Sequence, residues 1–319
     1  MNHFVRRSVT VTYGTLLFLS ACTSLRTVDL LSEESGGSSS GGAHATTGGT
    51  HATTGGTHAT TGGTHATTGG ASSAGRATTT GGTKPNLPKE LIHLYDFNGT
   101  GTEIVDRAGG LSGVVLNGAI LDGSGKLTIN DGVSYVRLPS WLIKNAKTAS
   151  LTIATWITWH GGSSWPRVFD FGATNEGTDQ PGSALSQFYF TPKFEPKQFY
   201  SVLFDNDANH EGQASVEGTI EFEIEKLTLV VVTVEGNETT GTSTLHLYVN
   251  GVEGGPPSTV AQRLTEFTDQ NCWLGQSQWI QDMSPSQHFN GEYDEFRIYS
   301  RALSVDEVLR LSLTDPTVL

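Results

Sequence analysis

The nine residues Leu151–Trp159 (LTIATWITW) put Leu151, Ile153, Thr155, Ile157 and Trp159 on one face of a strand and Thr152, Ala154, Trp156 and Thr158 on the other. Both faces are apolar in part, so this strand must be covered on both sides and is read as central to a layered β structure. More runs of the same kind follow: Val168–Phe171, Gln187–Thr191, Phe199–Phe204, the β-branched run Leu227–Val234, Leu245–Val249 and Phe289–Tyr299, with Leu91–Phe97 opening the set. Asn250-Gly251 after Val249 is a type I′ hairpin dipeptide. The total, about twelve or thirteen short strands, exceeds the seven to nine of an immunoglobulin sandwich and suits a larger antiparallel jelly roll. One helix is expected near the end, where Ser304 and Glu307 form a capping box ahead of Val305, Val308 and Leu309.

Strand signals occupy only residues 86–319. From Ser32 to about Lys84 the chain is almost all Gly, Ser, Thr, Ala and His, with Arg76 the one charged residue between Gly36 and Thr83, and a seven-residue repeat, HATTGGT, sets His44, His51, His58 and His65 in register. No repeat position can form an apolar seam or bury a core, so residues 22–85 read as a disordered tether with an r.m.s. span of about 45 Å. Histidines seven residues apart on such a chain make a costly metal site, and a solvated spacer is the better reading. With only 16% charged residues and 39 glycines, the chain is unlike a coiled coil or helical bundle. Two cysteines exclude a disulfide scaffold, and a net charge of −13 excludes nucleic acid as a partner.

The N-terminus reads as an export signal over residues 1–21. Arg6 and Arg7 precede an apolar run from Val9 to Leu19 that is too short to span a bilayer. The run ends Leu19-Ser20-Ala21-Cys22, which resembles the lipobox of bacterial lipoproteins. That resemblance implies lipidation at Cys22, a membrane partner through the acyl chains, and a place in the bacterial cell envelope. Thr23, rather than Asp, after the Cys implies the outer membrane. Cys272 then has no intrachain partner, and its setting in Asn271–Gly275 is that of a small buried hydrophobe.

No phosphate loop, GxSxG elbow or HExxH pair occurs. Asp205-Asn206-Asp207-Ala208-Asn209-His210-Glu211 has the one-three-five oxygen spacing of a calcium loop but lacks its Gly and closing Glu, so a turn-forming loop is expected. Trp156, Trp159 and Trp273 are expected in the core. Trp165 and Arg167 fall in a glycine-rich rim loop, and with Asp170 and Tyr189 they are the expected ligand-binding residues. Trp279 is a weaker candidate. Aromatic faces and bidentate polar groups are what sugars need. Asp170 has a second reading, as the buried partner of Arg167.

In order along residues 90–310 stand Leu94-Tyr95-Asp96-Phe97-Asn98-Gly99, Val105-Asp106 ahead of Gly109-Gly110, and Arg167-Val168-Phe169-Asp170-Phe171-Gly172. Leu247–Gly251, Trp273-Leu274-Gly275, Asp294–Tyr299 and Arg301–Ser304 complete the series. Together they resemble the LamG-like (laminin G-type) domain of the concanavalin A-like lectin/glucanase superfamily. The resemblance implies an all-β, two-sheet antiparallel jelly-roll sandwich with a short C-terminal helix, whose function the fold leaves open. It also implies a structural calcium (Ca2+) held by Asn98, Asp106 and Asp294, unless Asp294 pairs with Arg297 or Arg301 and Asp106 only makes a turn. Glycosidases on this fold carry an acidic E-x-D-x-E strand, and Glu221, Glu223 and Glu225 match it with Glu in the middle. The expected function is a membrane-anchored, non-catalytic recognition module for glycan or a cell-surface protein. A glycoside hydrolase using Glu221 and Glu225, or a structural envelope lipoprotein without soluble ligand, are the alternatives.

Overall fold

The computed structural model describes residues 88–316 apart from residues 131, 163, 196, 198, 211 and 280–287. The signal segment, Cys22 and the histidine repeats lie outside the described residues.

Seventeen strands are present among them. In chain order they are β1 (Leu91–Tyr95), β2 (Glu103–Ile104), β3 (Gly113–Leu116), β4 (Ile120–Leu121), β5 (Leu127–Ile129) and β6 (Tyr135–Leu138). After the short helix α1 (Leu142–Ala146) come β7 (Leu151–Trp159), β8 (Phe169–Thr174), β9 (Ala184–Thr191), β10 (Ser201–Asp205) and β11 (Ala214–Glu217). Then follow β12 (Leu227–Asn237), β13 (Thr242–Val249), β14 (Val252–Glu253), β15 (Ser258–Val260), β16 (Asn271–Leu274), β17 (Gly291–Tyr299) and helix α2 (Val305–Ser312). The count exceeds the expected twelve or thirteen because β2, β4 and β14 are two residues long, too short to show alternation.

One sheet has nine strands in the order β14-β13-β12-β7-β17-β5-β4, with β1 also on β17 and β15 on β13. The other has eight, β11-β10-β9-β8-β16-β6-β3-β2. β7 is indeed internal, pairing antiparallel with β12 and with β17. Its Leu151, Ile153, Ile157 and Trp159 enter the core between the sheets. Ala154 and Trp156 enter a second apolar cluster with Leu229, Val231, Tyr248, Tyr299 and Val308 of α2. The two-faced pattern of the sequence therefore has a cause: the inner face meets the other sheet and the outer face lies under a helix.

The main core is aromatic. Phe169 and Phe171 of one sheet each stand 6.0 Å from Phe296 of the other, and Phe188 joins them from β9. Each ring removes about 150–250 Å² from water, so truncating one costs about 3–5 kcal/mol. The run Tyr293–Ile298 breaks alternation: Tyr293, Phe296 and Ile298 are all core residues. A bulge resolves the parity. Opposite β7 the register passes from Tyr293 to Glu295, leaving Asp294 as the extra residue. At the hairpin between β13 and β14, Asn250 and Gly251 both have positive φ, 51° and 80°, as a type I′ turn requires. α2 carries the expected capping box, but of its three apolar positions only Val308 is buried, while Val305 and Leu309 stay exposed.

Candidate functional site

β8, β9 and β16 alternate, so residues between the core phenylalanines face outward. Trp273, Asp170, Tyr189 and Leu203 are successive register partners across that outward face. Arg167, just ahead of β8, lies over it. Its guanidinium sits 3.7 Å from the centre of the Tyr189 ring and 5.7 Å from that of Trp165, a cation–π stack. Its Nε donates to Asp170 Oδ2 at 3.3 Å and its Nη1 to the Trp165 carbonyl at 3.0 Å.

The four expected ligand residues do come together, but three are closed off. Arg167, Asp170 and Tyr189 are buried, and only Trp165 is half-exposed. Of the four expected ligand residues, Trp165 alone therefore presents part of its side chain to solvent. Asp170 is the Arg167 partner that the second reading anticipated. Its Oδ2 also accepts the Gln278 N–H at 3.0 Å, while Oδ1 has no hydrogen-bond partner. Burial pushes its pKa up to about 7 against the pull of the Arg167 guanidinium. Gln278 reaches back to the Asp170 carbonyl at 3.2 Å and pairs with Asn271 at 3.2 Å. Trp279 is half-buried and donates from Nε1 to Gln187 at 3.0 Å. Gln187 and Gln278 carried no sequence signal, because an amide in a strand or loop is common and only the fold aims it.

Trp165 takes φ 68°, its N–H donates to the Lys193 carbonyl at 2.7 Å, and its ring stands 5.7 Å from Phe194. Lys193 also borders a cavity of about 130 Å³ with Trp159, Gly162, Glu221, Phe222 and Ile224. The acidic segment is therefore near the rim, but not as expected. Residues 221–226 form no strand. Phe222 turns into the core against Trp159, Phe190 and Tyr200, and Glu225 has φ 59°. Alternation that would align three carboxylates is absent: Glu225 meets His160 Nδ1 at 2.8 Å, Glu223 pairs with Lys226, and Glu221 alone lines the cavity.

Of the expected calcium ligands, Asp106 is already surrounded by hydrogen-bond donors. Asp106 Oδ1 accepts the N–H groups of Leu94 (3.0 Å), Ala108 (3.1 Å) and Gly109 (3.0 Å). Its Oδ2 meets His93 Nδ1 at 2.7 Å and the Leu111 N–H at 3.0 Å. Burial acts to raise its pKa, but these donors outweigh it and hold the carboxyl at about 2. A carboxylate so filled has no lone pair left for an ion. Asp294 is the bulge residue, with Oδ2 unpartnered and its pKa raised by burial; Asn98 is exposed beside Gly125. Arg297 and Arg301 bond to Glu295 and Glu307. Among the described residues, no group of three or more His, Cys, Asp or Glu side chains is placed to hold a metal. The Asp205 loop is a turn: Asp205 bonds the Asp207 N–H at 2.9 Å and His210 Nδ1 at 2.6 Å, and Glu211 lies outside the described residues. Cys272 is a free, fully buried thiol whose pKa burial raises.

Two stacked antiparallel sheets with this strand order frame the comparison with known proteins. Residues 130–309 match the Laminin_G_3 family, described as concanavalin A-like lectin/glucanases superfamily. The chain belongs to this superfamily. Among solved structures, domain 4 of AbnA, a GH43 extracellular arabinanase from Geobacillus stearothermophilus in complex with arabinotriose, is 19% identical. That match covers 70% of this chain and 98% of the other, with a TM-score of 0.50. The binding domain of botulinum neurotoxin DC, in complex with rat synaptotagmin II, is 15% identical over 70% of this chain and 51% of its own, with a TM-score of 0.49. Trypanosoma rangeli sialidase is 16% identical over 71% and 33%, with a TM-score of 0.47. No curated protein matches the chain. At these identities the likeness is one of fold.

Proposed function

We propose that this chain is a non-catalytic glycan-recognition module, held at a membrane by lipid on Cys22. The observation that carries the reading is Trp165, kept half-exposed in a left-handed backbone by the buried Arg167–Tyr189–Asp170 stack. A rigid aromatic face at a loop end is a low-entropy platform for a sugar ring. The adjoining cavity offers the Lys193 ammonium and the Glu221 carboxylate to sugar hydroxyls. The similarly folded arabinanase domain was solved with arabinotriose, which supports an oligosaccharide as ligand.

A retaining glycosidase needs two carboxyl groups about 5–5.5 Å apart. Here Glu225 is engaged by His160 and turned by its own backbone, which favours binding over cleavage. The donors that already fill the Asp106 oxygens favour a structural turn over a calcium ligand at that residue.

A glycan array probed with the full chain and with Trp165→Ala tests the reading. Binding lost in the variant is expected; binding that persists in it, or no binding at all, overturns it. Reducing-sugar release that disappears in Glu221→Gln would instead make the protein an enzyme. For the anchor, mass spectrometry of the mature N-terminal peptide is expected to find diacylglyceryl on Cys22, and Cys22→Ser to leave the membrane fraction.

A further inference from the structure

A groove of about 540 Å³, formed by elements other than those around Trp165, is lined by Trp141, Lys144, Asn145, Lys147 and Thr265. Its wall is pinned from below by Asp269, which is fully buried. The Asp269 carbonyl accepts the Trp141 N–H at 2.8 Å, and its carboxylate accepts the N–H groups of Ile143 at 2.6 Å and Lys144 at 3.2 Å. These bonds hold α1 between two left-handed residues, Trp141 at φ 66° and Lys147 at φ 51°. Bulky residues adopt that region at a cost, and here both such residues line one groove.

The result is a half-exposed indole with Lys144 Nζ 5.6 Å from its ring centre and Lys147 exposed beside it. Lys126, Lys197 and Lys226 each pair with a glutamate, whereas Lys144 faces a ring. On a chain of net charge −13, this groove sets two ammonium groups beside one indole, while the glutamates at its Thr265 edge, Glu238 and Glu266, are paired with Arg263. The Asn145 amide and the Thr265 hydroxyl, which itself donates to Glu238 at 3.1 Å, add partners for hydroxyl groups.

We propose that this groove binds an acidic glycan, with the Trp141 face stacked on a pyranose ring and Lys144 and Lys147 meeting a sugar carboxylate. The site is independent of the one at Trp165. Calorimetric titration of the full chain with oligogalacturonate, and with a neutral galactan oligosaccharide of equal length, tests it. Oligogalacturonate is expected to bind, more weakly as salt rises. Affinity is expected to fall by about tenfold or more in Trp141→Ala and in the double variant Lys144→Gln, Lys147→Gln, and to be largely kept in Trp141→Phe. The two lysines are exposed, so an unchanged melting temperature shows that the double variant is folded. Trp165→Ala is expected to leave this titration unchanged, which separates failure here from failure at the loop end. No binding, equal binding of the neutral oligosaccharide, or binding that survives both groove variants overturns the proposal. So does a groove whose lysines are needed only for phosphatidylglycerol vesicles, which would make it a membrane contact.

Discussion

The two sheets carry the same device on their outward faces, and they cover it differently. On the nine-stranded sheet Glu295 bonds Arg297 at 2.6 Å, and the Arg297 guanidinium lies 4.6 Å over Trp156. On the eight-stranded sheet Asp170 bonds Arg167, which lies over Tyr189. In both, burial pushes the carboxyl up to about 7 while the arginine pulls it down. The first stack shares its face with Leu229, Val231, Tyr248 and α2, an apolar cover. The second is flanked by Gln187, Asn271, Gln278 and Asp205, and continues to Trp165 at the rim. One stack is closed by a helix; the other is a polar layer ending in a half-exposed ring. A carboxylate–arginine–aromatic stack is therefore sealed by apolar cover in one place and reaches a half-exposed ring in the other.

The largest expected effect is on the closed side. Glu295→Ala leaves a buried guanidinium without its charge partner and is expected to cost about 3–5 kcal/mol, read from the urea midpoint, with little effect on glycan binding. Asp170→Ala is expected to cost less, about 2–3 kcal/mol, because Arg167 keeps the Trp165 carbonyl and the Tyr189 face. If Trp165 is the glycan contact proposed above, Asp170→Ala is also expected to lose glycan binding, since it supports that ring. Equal costs, or intact binding in Asp170→Ala, would erase the distinction.

The pH response sharpens it next. Asp170 and Glu295 hold their protons more tightly folded than unfolded, so their contribution is full below about pH 4 and is lost as pH rises toward 7. Asp106 runs the other way: its folded value of about 2 stabilises the protein above about pH 4 and is lost as pH falls toward 2. Unfolding free energies measured from pH 3 to 8 are expected to lose part of their decline in Asp170→Asn and in Glu295→Gln. A slope unchanged in both variants would refute the assignment. The smallest effect is at the cover itself. Ser304→Ala removes one half of the α2 capping box and is expected to lower stability by about 1 kcal/mol, without touching the Trp165 side.

Much of this was legible beforehand. Alternation in Leu151–Trp159 placed β7 at the centre of a sheet, and Asn250-Gly251 marked the turn between β13 and β14, because both signals are local. The glutamates at 221, 223 and 225 misled, since alternation presumes a strand and here the Phe222 ring is drawn into the core, leaving coil. Asp106 was ambiguous in sequence: an acidic residue near a glycine pair fits an ion or a set of N–H groups equally well, and the fold supplies the N–H groups. Trp141 carried no signal, since its left-handed backbone is held by bonds to Asp269, more than a hundred residues away in sequence.

By itself, the sequence determined the period of the longer strands and that the fold is a sandwich of two antiparallel sheets. These follow from side-chain polarity and local backbone preference. Only the tertiary structure decided which polar residues are buried, which carboxylates are filled by donors, and which tryptophans reach solvent. Those outcomes depend on segments that meet across the sheets, and on competition between burial and hydrogen bonding that no stretch of neighbouring residues contains.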